Sequence, residues 1–491
     1  MSAAPETTAL GTAAGLLRAA LPDGRLTMFA ITGADRAGVP TVSADLSGTA
    51  DGHDDAGIGY GHVDEQAQVG ALGELAEVVL TRGAATRTCR ASYTELRRGT
   101  GGSGVVDPRA LVLPAGTTVD DDAPRDWSAA RRWRTGEDVW LPAEFCVSGG
   151  GDLPPGPMTP ALITPITNGN GAGDTPERAV SHALLELLQR DGNGTRFRAL
   201  DAGTVIELDD VRDPVTRDVL RRLADAGVEV LPKLATTAFG MTALHVVGVD
   251  TDPDTDPLAM SACGEAVHPD REVALRKAVL EYAAARARKV FMHRPLAQLW
   301  ALAPEDYWQR RLSRPVPAQE TRALEAMRAW SGLDTTAMGA LLEPVVWARH
   351  TTVAFSSLPT VPPGSLDDPA ALLEHLLVVL SGFDVLVVAP PPGPAAAVKV
   401  IVPGLEAETM SYGRIGARGV AGLLERGSAL AGLGPPPHDG AKAVVLTGDG
   451  RDRLGDDAWL DLDAVAATVG PLYPLYREPA RHVLARSGGT P

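Results

Sequence analysis

Three segments of the chain place apolar and polar residues with the period of an amphipathic helix, and each carries a glutamate within an apolar run. The runs are Ala71–Glu74 (Ala-Leu-Gly-Glu), Ala183–Glu186 (Ala-Leu-Leu-Glu) and Ala278–Glu281 (Ala-Val-Leu-Glu). Residues three and four positions apart share one face of a helix. A carboxylate on an otherwise apolar face is costly to bury unless it is paired or binds a metal. We therefore look for function on these three helices.

The segments around these helices predict an α/β fold. Thr175 is suited to cap the second helix and Pro176 to occupy its first position, while the third helix is predicted over about 271–290. Residues 204–250 have the pattern strand, helix, strand, strand, and residues 303–350 are mainly helical in pattern. Strands alternating with helices are typical of α/β organisation.

Two further segments bear on the layout of the chain. Residues 100–127 are rich in Gly, Pro and Asp, which predicts a surface excursion. The run Val398–Glu406 predicts a buried strand that is closed by a turn. Because no segment before the C-terminal tail has the composition of an interdomain linker, we predict one large domain.

Composition and charge exclude several classes of protein. Hydrophobic residues make up 44% and charged residues 22%, which is typical of a globular chain. The net charge of −17 argues against a nucleic-acid-binding surface. The three cysteines, Cys89, Cys146 and Cys263, form no C-x-x-C pair, so neither a disulfide framework nor a zinc site is expected. With no secretory signal and no apolar run of ~20 residues, we expect a cytoplasmic protein without a membrane partner.

Common nucleotide-binding motifs are missing. The sequence has no G-x-x-x-x-G-K-[ST], so any ATP site is not a P-loop. The glycines of Gly57–Gly61 are not followed by the elements of a dinucleotide-binding fingerprint. We therefore interpret them as structural.

Four blocks of sequence resemble the YcaO family, in the family's order. They are a glycine-led turn and a helix with E-x-x-E (61–78), a loop and a helix with A-L-L-E-L (167–191), a G-x-x-x-H-P turn and a helix with A-L-x-x-A-x-x-E (264–286), and V-x-V-P-G-L-E (400–406). The resemblance covers about 25–480. It predicts one YcaO-like α/β domain there, with internally repeated strand-helix units around a central site. Residues 1–24 are then an N-terminal extension, and 481–491 a C-terminal tail.

The resemblance implies that the three helices surround one ATP molecule and its Mg2+ ions. The activity it implies is phosphorylation of a backbone amide oxygen in a ribosomally made precursor peptide. A nucleophile then adds, giving an azoline, a thioamide or an amidine. The partners implied are the precursor peptide, a separate leader-binding or ThiF-like protein, and a second copy of the chain in a homodimer.

Site residues follow by matching positions of this sequence to the family's motifs. The predicted metal ligands are Glu74, Glu77 and Gln189, and the residues predicted to bind ATP and phosphate are Glu186, Arg190, Glu281 and Arg286. No residue is assigned a catalytic role.

The chain also departs from the family's pattern at these helices. Val78 replaces an arginine, Arg178 and Gln189 replace glutamates, and Ala284 replaces a glutamine. Glutamine offers a metal an oxygen but no charge, and a cation at 178 would repel a metal unless it contacted phosphate. The Pro-x-Pro-x-Pro ending of azoline-forming members is also absent. Two interpretations therefore stay open: an ATP-dependent peptide-modifying enzyme with a rearranged metal shell, and a non-catalytic scaffold that docks a precursor peptide or partner enzyme.

Overall fold

The computed structural model describes residues 3–153, 160–196, 198–316, 318–407 and 413–487, with side chains from residue 9 to residue 486. The helices are α1 (Ala3–Ala20), α2 (Asp64–Thr81), α3 (Tyr93–Gly99), α4 (Pro176–Asn193), α5 (Pro214–Asp225), α6 (Pro257–Met260), α7 (Arg271–His293), α8 (Leu296–Leu299), α9 (Glu305–Ser313), α10 (Thr321–Ser331), α11 (Thr335–Leu342), α12 (Pro369–Val379), α13 (Ala417–Glu425), α14 (Gly448–Leu454), α15 (Leu462–Val469) and α16 (Val483–Ser487). The strands are β1 (Arg25–Ala30), β2 (Thr41–Ser47), β3 (Asp55–Tyr60), β4 (Thr88–Ala91), β5 (Arg125–Arg132), β6 (Asp138–Pro142), β7 (Asn170–Gly173), β8 (Thr204–Glu207), β9 (Val228–Thr236), β10 (Thr242–Asp250), β11 (Gly264–His268), β12 (Thr351–Ala354), β13 (Leu386–Val388), β14 (Ala396–Ile401), β15 (Ala431–Leu433), β16 (Ala441–Ala443) and β17 (Ala458–Asp461).

Within the described ranges the strands form four sheets. Their orders are β1-β2-β3, β11-β10-β9-β8-β12, β4-β5-β13-β14-β7 with β6 paired to β5, and β15-β17-β16. β8 and β12 run parallel, whereas the hairpin pairs β1–β2, β9–β10 and β5–β6 are antiparallel. The predicted α/β class is confirmed.

Three strand-helix units form a closed ring. Each unit is a strand that leads directly into a helix packed against it: β3 with α2, β7 with α4, and β11 with α7. Each helix also contacts the strand of another unit, since α2 contacts β7, α4 contacts β11, and α7 contacts β3. The repeated units predicted from the sequence therefore surround a common centre.

Glycine in each strand lets the helix approach closely. A Cβ atom added to Gly59 would lie 1.9 Å from the backbone nitrogen of Ala71, and one added to Gly171 would lie 2.1 Å from the carbonyl oxygen of Ala179. At Gly264 the corresponding distance to the carbonyl oxygen of Ala278 is 2.1 Å. No side chain fits such a gap, so the glycine is what allows the backbones to touch.

The helix predictions are largely confirmed. The Thr175 hydroxyl accepts a hydrogen bond from the Arg178 backbone nitrogen at 3.2 Å, with Pro176 in the first helical position. Residues 303–350 contain α9, α10 and α11. The N-terminal α1 packs on α2, where Leu17 and Leu72 share a small apolar cluster.

The predicted surface excursion at 100–127 is wrong. Leu111 and Leu113 are buried in one apolar cluster with Leu141 and Phe145, and β5 begins within the segment at Arg125. The apolar side chains between the glycines and aspartates determine its position, because burying them is favourable. Glycine and proline there mark turns of a buried segment.

The structure adds one finding on membranes. No helix in the described ranges combines the length and the hydropathy needed to cross a bilayer.

Candidate functional site

A cavity of about 490 Å³ lies at the centre of the ring, where α2, α4 and α7 face one another. The polar side chains that line it are Glu74 and Glu77 from α2, His182, Glu186, Gln189 and Arg190 from α4, and Lys277, Glu281 and Arg288 from α7. Most of these residues lie three, four or seven positions from another one on the same helix, so each set shares one side of its helix. The structure thus brings six of the seven predicted site residues together.

Glu74 and Glu77 form an acidic pair in the cavity wall. Their accessible surface faces the cavity, while protein encloses them on the other sides. Burial, together with the charge of Glu186, raises the pKa of Glu74 to about 7. Burial and the charges of Glu74 and Glu186 also raise the pKa of Glu77 well above its usual value. A cation between these carboxylates would relieve their repulsion.

His182 lies beside this pair. Its Nε2 atom is 3.3 Å from Oε1 of Glu77, and ligand atoms of Glu74, Glu77 and His182 all lie within 4.8 Å of one another. Burial and the charge of Lys277 lower the pKa of His182 to about 4, so its imidazole is neutral near pH 7. Sequence reasoning missed His182, although it precedes Glu186 by one helical turn.

Gln189 also lines the cavity. Its amide nitrogen donates to Oε2 of Glu265 at 3.2 Å. This bond uses the amide nitrogen, so the role of Gln189 as an oxygen ligand of the metal stays a prediction, and His182 joins Glu74 and Glu77 as a further ligand group.

Glu186 is held by the loop that precedes its helix. One carboxylate oxygen accepts a hydrogen bond from the Gly169 backbone nitrogen at 2.9 Å, and the other lies 3.4 Å from Nη2 of Arg190. The buried Lys399 fixes the loop, because its Nζ donates to the carbonyl oxygen of Asn168 at 2.8 Å. Asn168 itself lines the cavity.

Glu265, on β11, anchors the cations of the site. It accepts hydrogen bonds from Arg190 at 3.1 Å, Arg198 at 3.1 Å and Asn193 at 2.9 Å. Burial alone would raise the pKa of Glu265, but the charges of Arg190 and Arg198 outweigh it and lower the pKa. Sequence reasoning missed this residue. The signal was its position directly after Gly264, at the start of the third motif.

Glu281 is the third glutamate of the repeated helices. Burial, followed by the charge of Glu265, raises its pKa to about 8. One of its oxygens accepts a hydrogen bond from the Glu265 backbone nitrogen at 3.3 Å. Tyr60 and Lys277 line the cavity beside it.

Arg286 does not lie with the other predicted site residues. Its guanidinium is buried on another side of α7, where it binds Asp250 at 2.8 and 2.9 Å and Asp35 at 3.1 Å. Five residues turn a helix by about 140°, so Arg286 cannot share the face of Glu281. Arg288, seven residues after Glu281, completes two turns and lines the cavity instead.

The substituted positions on α2 and α4 differ in their consequences. Arg178 is exposed, and its Nε atom lies 2.7 Å from Asp174, away from the cavity. The cation that the sequence placed at the metal site therefore does not reach it. Val78 does line the cavity, so the site lacks the arginine that the family pattern has there.

The C-terminal segment contributes a further cation. Arg481 lines the cavity, and its Nη1 donates to the Ser43 hydroxyl at 2.9 Å and to Asp45 at 3.0 Å. His482, the next residue, is fully buried. The tail predicted at 481–491 thus begins inside the fold, and its residues 488–491 lie outside the described ones.

The donor set fits a divalent cation together with a polyphosphate. Glu74 and Glu77 carry oxygen ligands close enough to share one ion. Arg190 lines the same cavity, and its buried Nε atom has no hydrogen-bond partner among the described residues. Lys277, Arg288 and Arg481 add positive charge, and cations of this kind stabilise phosphate oxygens.

Comparison with protein families gives one match over most of the chain. Residues 58–406 match the model of the YcaO cyclodehydratase family, which is described as ATP- and Mg2+-binding. A curated relative from Methanothermobacter thermautotrophicus (strain Delta H), known only as an uncharacterized protein, is 30% identical over 265 residues. That alignment covers 53% of this chain and 64% of the relative, which is less than two thirds of its length.

Solved structures resemble the fold. One is a YcaO from Methanopyrus kandleri bound with AMPPCP and Mg2+, with a TM-score of 0.55, 19% identity, and coverage of 84% of this chain and 94% of that one. Another is a heterocyclase in complex with substrate and cofactor, with a TM-score of 0.53, 17% identity, and coverage of 79% and 50%. At such identities the likeness concerns the fold.

Proposed function

The chain belongs to the YcaO family, and from this premise we propose that it is an ATP- and Mg2+-dependent enzyme that modifies the backbone of a ribosomally made precursor peptide. The observation that carries the proposal is the cavity at the centre of the ring. Three helices from distant parts of the sequence place carboxylates and cations in one cavity of about 490 Å³.

The two kinds of charge have separate tasks in this proposal. Glu74 and Glu77 hold the metal, with Gln189 available as a neutral oxygen ligand nearby. Arg190 and Arg288 bind phosphate oxygens, and Glu186 and Glu281 line the nucleotide's part of the cavity. Bound there, MgATP would supply the phosphoryl group that converts a peptide amide oxygen into a leaving group.

The other charged residues around the cavity neutralise negative charge or hold a cation in place. Lys277 and Arg481 face the same space and neutralise negative charge that develops on transferred oxygens. Glu265 fixes Arg190, so this side chain does not have to reorganise when an anion arrives. The nucleophile, and with it the choice between azoline, thioamide and amidine, stays open. A leader-binding or ThiF-like partner and a homodimer remain predictions.

A second candidate is a non-catalytic scaffold that docks a precursor peptide or a partner enzyme. It is favoured by two neutral residues in the cavity wall, Val78 and Gln189, which stand where the family pattern has charged ones. Loss of charge at a metal site weakens the binding of Mg2+. The two candidates differ in whether the cavity binds MgATP.

Calorimetry with MgATP separates the two candidates. We expect the wild-type protein to bind MgATP, and Glu77→Gln to weaken binding on the order of tenfold or more, because a metal ligand loses its charge. Glu65→Gln is the matched control, since Glu65 is an exposed residue at the start of the same helix. Binding that is equally strong in both variants would contradict the site assignment.

Phosphate release is the second measurement. An enzyme is expected to release phosphate from ATP when a candidate precursor peptide is added. If the protein gives no heat of binding at millimolar ATP but does bind the peptide, the enzyme hypothesis is contradicted and the scaffold hypothesis is favoured.

A further inference from the structure

His182 occupies a position that the sequence motifs assign to no ligand. It lies on α4 one turn before Glu186, and its side chain enters the cavity. Its Nε2 atom is 3.3 Å from Oε1 of Glu77, and it shares with Glu74 and Glu77 a space in which the three ligand atoms lie within 4.8 Å of one another.

The spacing of these atoms suits a single bound ion. With metal–ligand bonds of about 2.1 Å, two ligand atoms on one ion lie between about 3 and 4.2 Å apart. The ligand atoms of Glu74, Glu77 and His182 lie within 4.8 Å of one another, so small side-chain rotations bring them into that range. The three groups come from two helices of the ring, so the backbone already holds them around one point.

A simple ion pair does not account for the cluster as well. His438 and Asp461 show what such a pair looks like in this protein: the imidazole lies 3.0 Å from the carboxylate, with side-chain exposures of 52% and 15%. The pair of His182 and Glu77 has similar exposures of 43% and 13%, but Glu74 supplies a second carboxylate. Two carboxylates and one imidazole around one point are a set of ligand groups that a divalent metal ion takes.

The chemistry of imidazole then determines which metal is favoured. Mg2+ prefers oxygen ligands in a strict octahedron, whereas imidazole nitrogen suits divalent transition ions. Gln189, predicted as a further metal ligand, carries no charge, and its amide nitrogen donates a hydrogen bond to Glu265. The metal site therefore lacks the charge that a glutamate at position 189 would add, and His182 offers it a nitrogen that Mg2+ does not need.

We propose that His182 is a protein ligand of the metal ion held by Glu74 and Glu77, and that the site prefers a divalent transition ion such as Mn2+ or Co2+ to Mg2+. The inference rests on the proposed function in taking the cavity as the metal site. Mg2+ still binds through the two carboxylates, and the imidazole adds affinity for the transition ion.

Pulsed electron paramagnetic resonance with Mn2+ alone tests the ligand directly, on protein without a purification tag. A coordinated imidazole couples its 14N nucleus to the manganese electrons and modulates the spin echo. We expect this modulation in the wild type, its loss in His182→Gln, and its persistence in His438→Gln, the matched control from the ion pair. Modulation that is absent from the wild type, that persists in His182→Gln, or that is lost in His438→Gln would overturn the proposal.

Calorimetric competition between Co2+ and Mg2+ tests the preference. His182→Gln removes the imidazole ligand and is expected to lower the selectivity for Co2+ over Mg2+ on the order of tenfold. His182→Glu replaces nitrogen by a charged oxygen and is expected to shift the preference toward Mg2+. Unchanged selectivity in both variants would contradict the proposal.

The same variants keep this inference apart from the proposed function. If His182→Gln fails to fold by circular dichroism, the wild-type 14N signal and the selectivity of His182→Glu still decide the question. MgATP binding is measured separately, without Mn2+ or Co2+. Metal binding with 14N modulation but no ATP binding would support His182 as a ligand and contradict the proposed function. MgATP binding without 14N modulation would support the proposed function and contradict His182 as a ligand.

Discussion

Burial raises the pKa of several carboxyl groups in this protein, and Glu406 shows the effect away from the metal ligands. It is buried and accepts hydrogen bonds from the backbone nitrogens of Gly416 at 2.9 Å and Gly419 at 2.6 Å. Burial, followed by the charge of Asp191, nevertheless raises its pKa to about 7. Glu406 is the last residue of the V-x-V-P-G-L-E block and does not line the cavity, so this group belongs to the structure around the site.

Replacing Glu406 by glutamine is expected to remove part of the protein's pH dependence. The folded pKa of about 7 exceeds the ordinary value of 4.5, so between these values the folded state binds more protons than the unfolded state. The free energy of unfolding therefore falls as pH rises through this window, by up to about 3 kcal/mol. Glu406→Gln should match the wild type at pH 4.5 and be more stable at pH 8 in urea titrations. Equal stability of both proteins at pH 8 would refute this.

At the scale of secondary-structure elements, each strand of the ring and the helix packed on it form one structural unit. Each helix of the ring is positioned by a glycine on its own strand, and the glutamate it carries points into the common cavity. Since the helix backbone rests on the strand backbone, the location of the carboxylate follows from the strand. A methyl group between them would move the helix and its glutamate together.

Gly59→Ala and Gly73→Ala make opposite predictions within one unit. At Gly59 the added Cβ would lie 1.9 Å from the Ala71 backbone nitrogen, whereas at Gly73 nothing lies within 4 Å. We expect Gly59→Ala to destabilise the protein and to weaken MgATP binding because α2 must shift. Gly73→Ala should stabilise it by about 1 kcal/mol through helix propensity. Urea denaturation measures both, and a harmless Gly59→Ala would contradict the close packing.

How much the sequence could predict also depends on scale. The helices carrying Glu74, Glu186 and Glu281 follow from local spacing, because an amphipathic face needs only residues within a few turns. Closure of the ring cannot be predicted from local spacing, because the contact of α7 with β3 joins segments that are far apart in sequence. Arg286 was predicted from a motif, although 100° per residue already assigns the cavity face to Arg288.

At the scale of the whole molecule, residues beyond the matched family region complete the site. Arg481 lines the cavity. Glu478 binds Arg288 at 3.1 Å, Lys289 at 2.9 Å and His293 at 3.2 Å. No local pattern in the sequence announces such partners, because each is a lone charge whose neighbours come from another part of the chain.

Neutralising Glu478 should therefore affect both stability and binding. Glu478→Gln leaves three basic groups on α7 without their carboxylate, and breaking a buried pair of this kind costs about 3 kcal/mol. MgATP binding should weaken as Arg288 loses its anchor. Glu425→Gln is the control, because Glu425 is 74% exposed and only 3.5 Å from Arg196, where a pair contributes less than about 1 kcal/mol. Thermal unfolding and calorimetry give the two readouts, and equal effects of both variants would argue against a structural role for Glu478.

The closed ring also has a consequence for biosynthesis. The walls of the cavity run from Ala56 to Arg481, and at roughly 5–20 residues per second the ribosome needs on the order of tens of seconds to make that stretch. Until α7 emerges and meets β3, the acidic faces of α2 and α4 have no opposite wall. A nascent or prematurely ended chain therefore carries the glutamates without the enclosure, and any ligand of the cavity must wait for an almost finished protein.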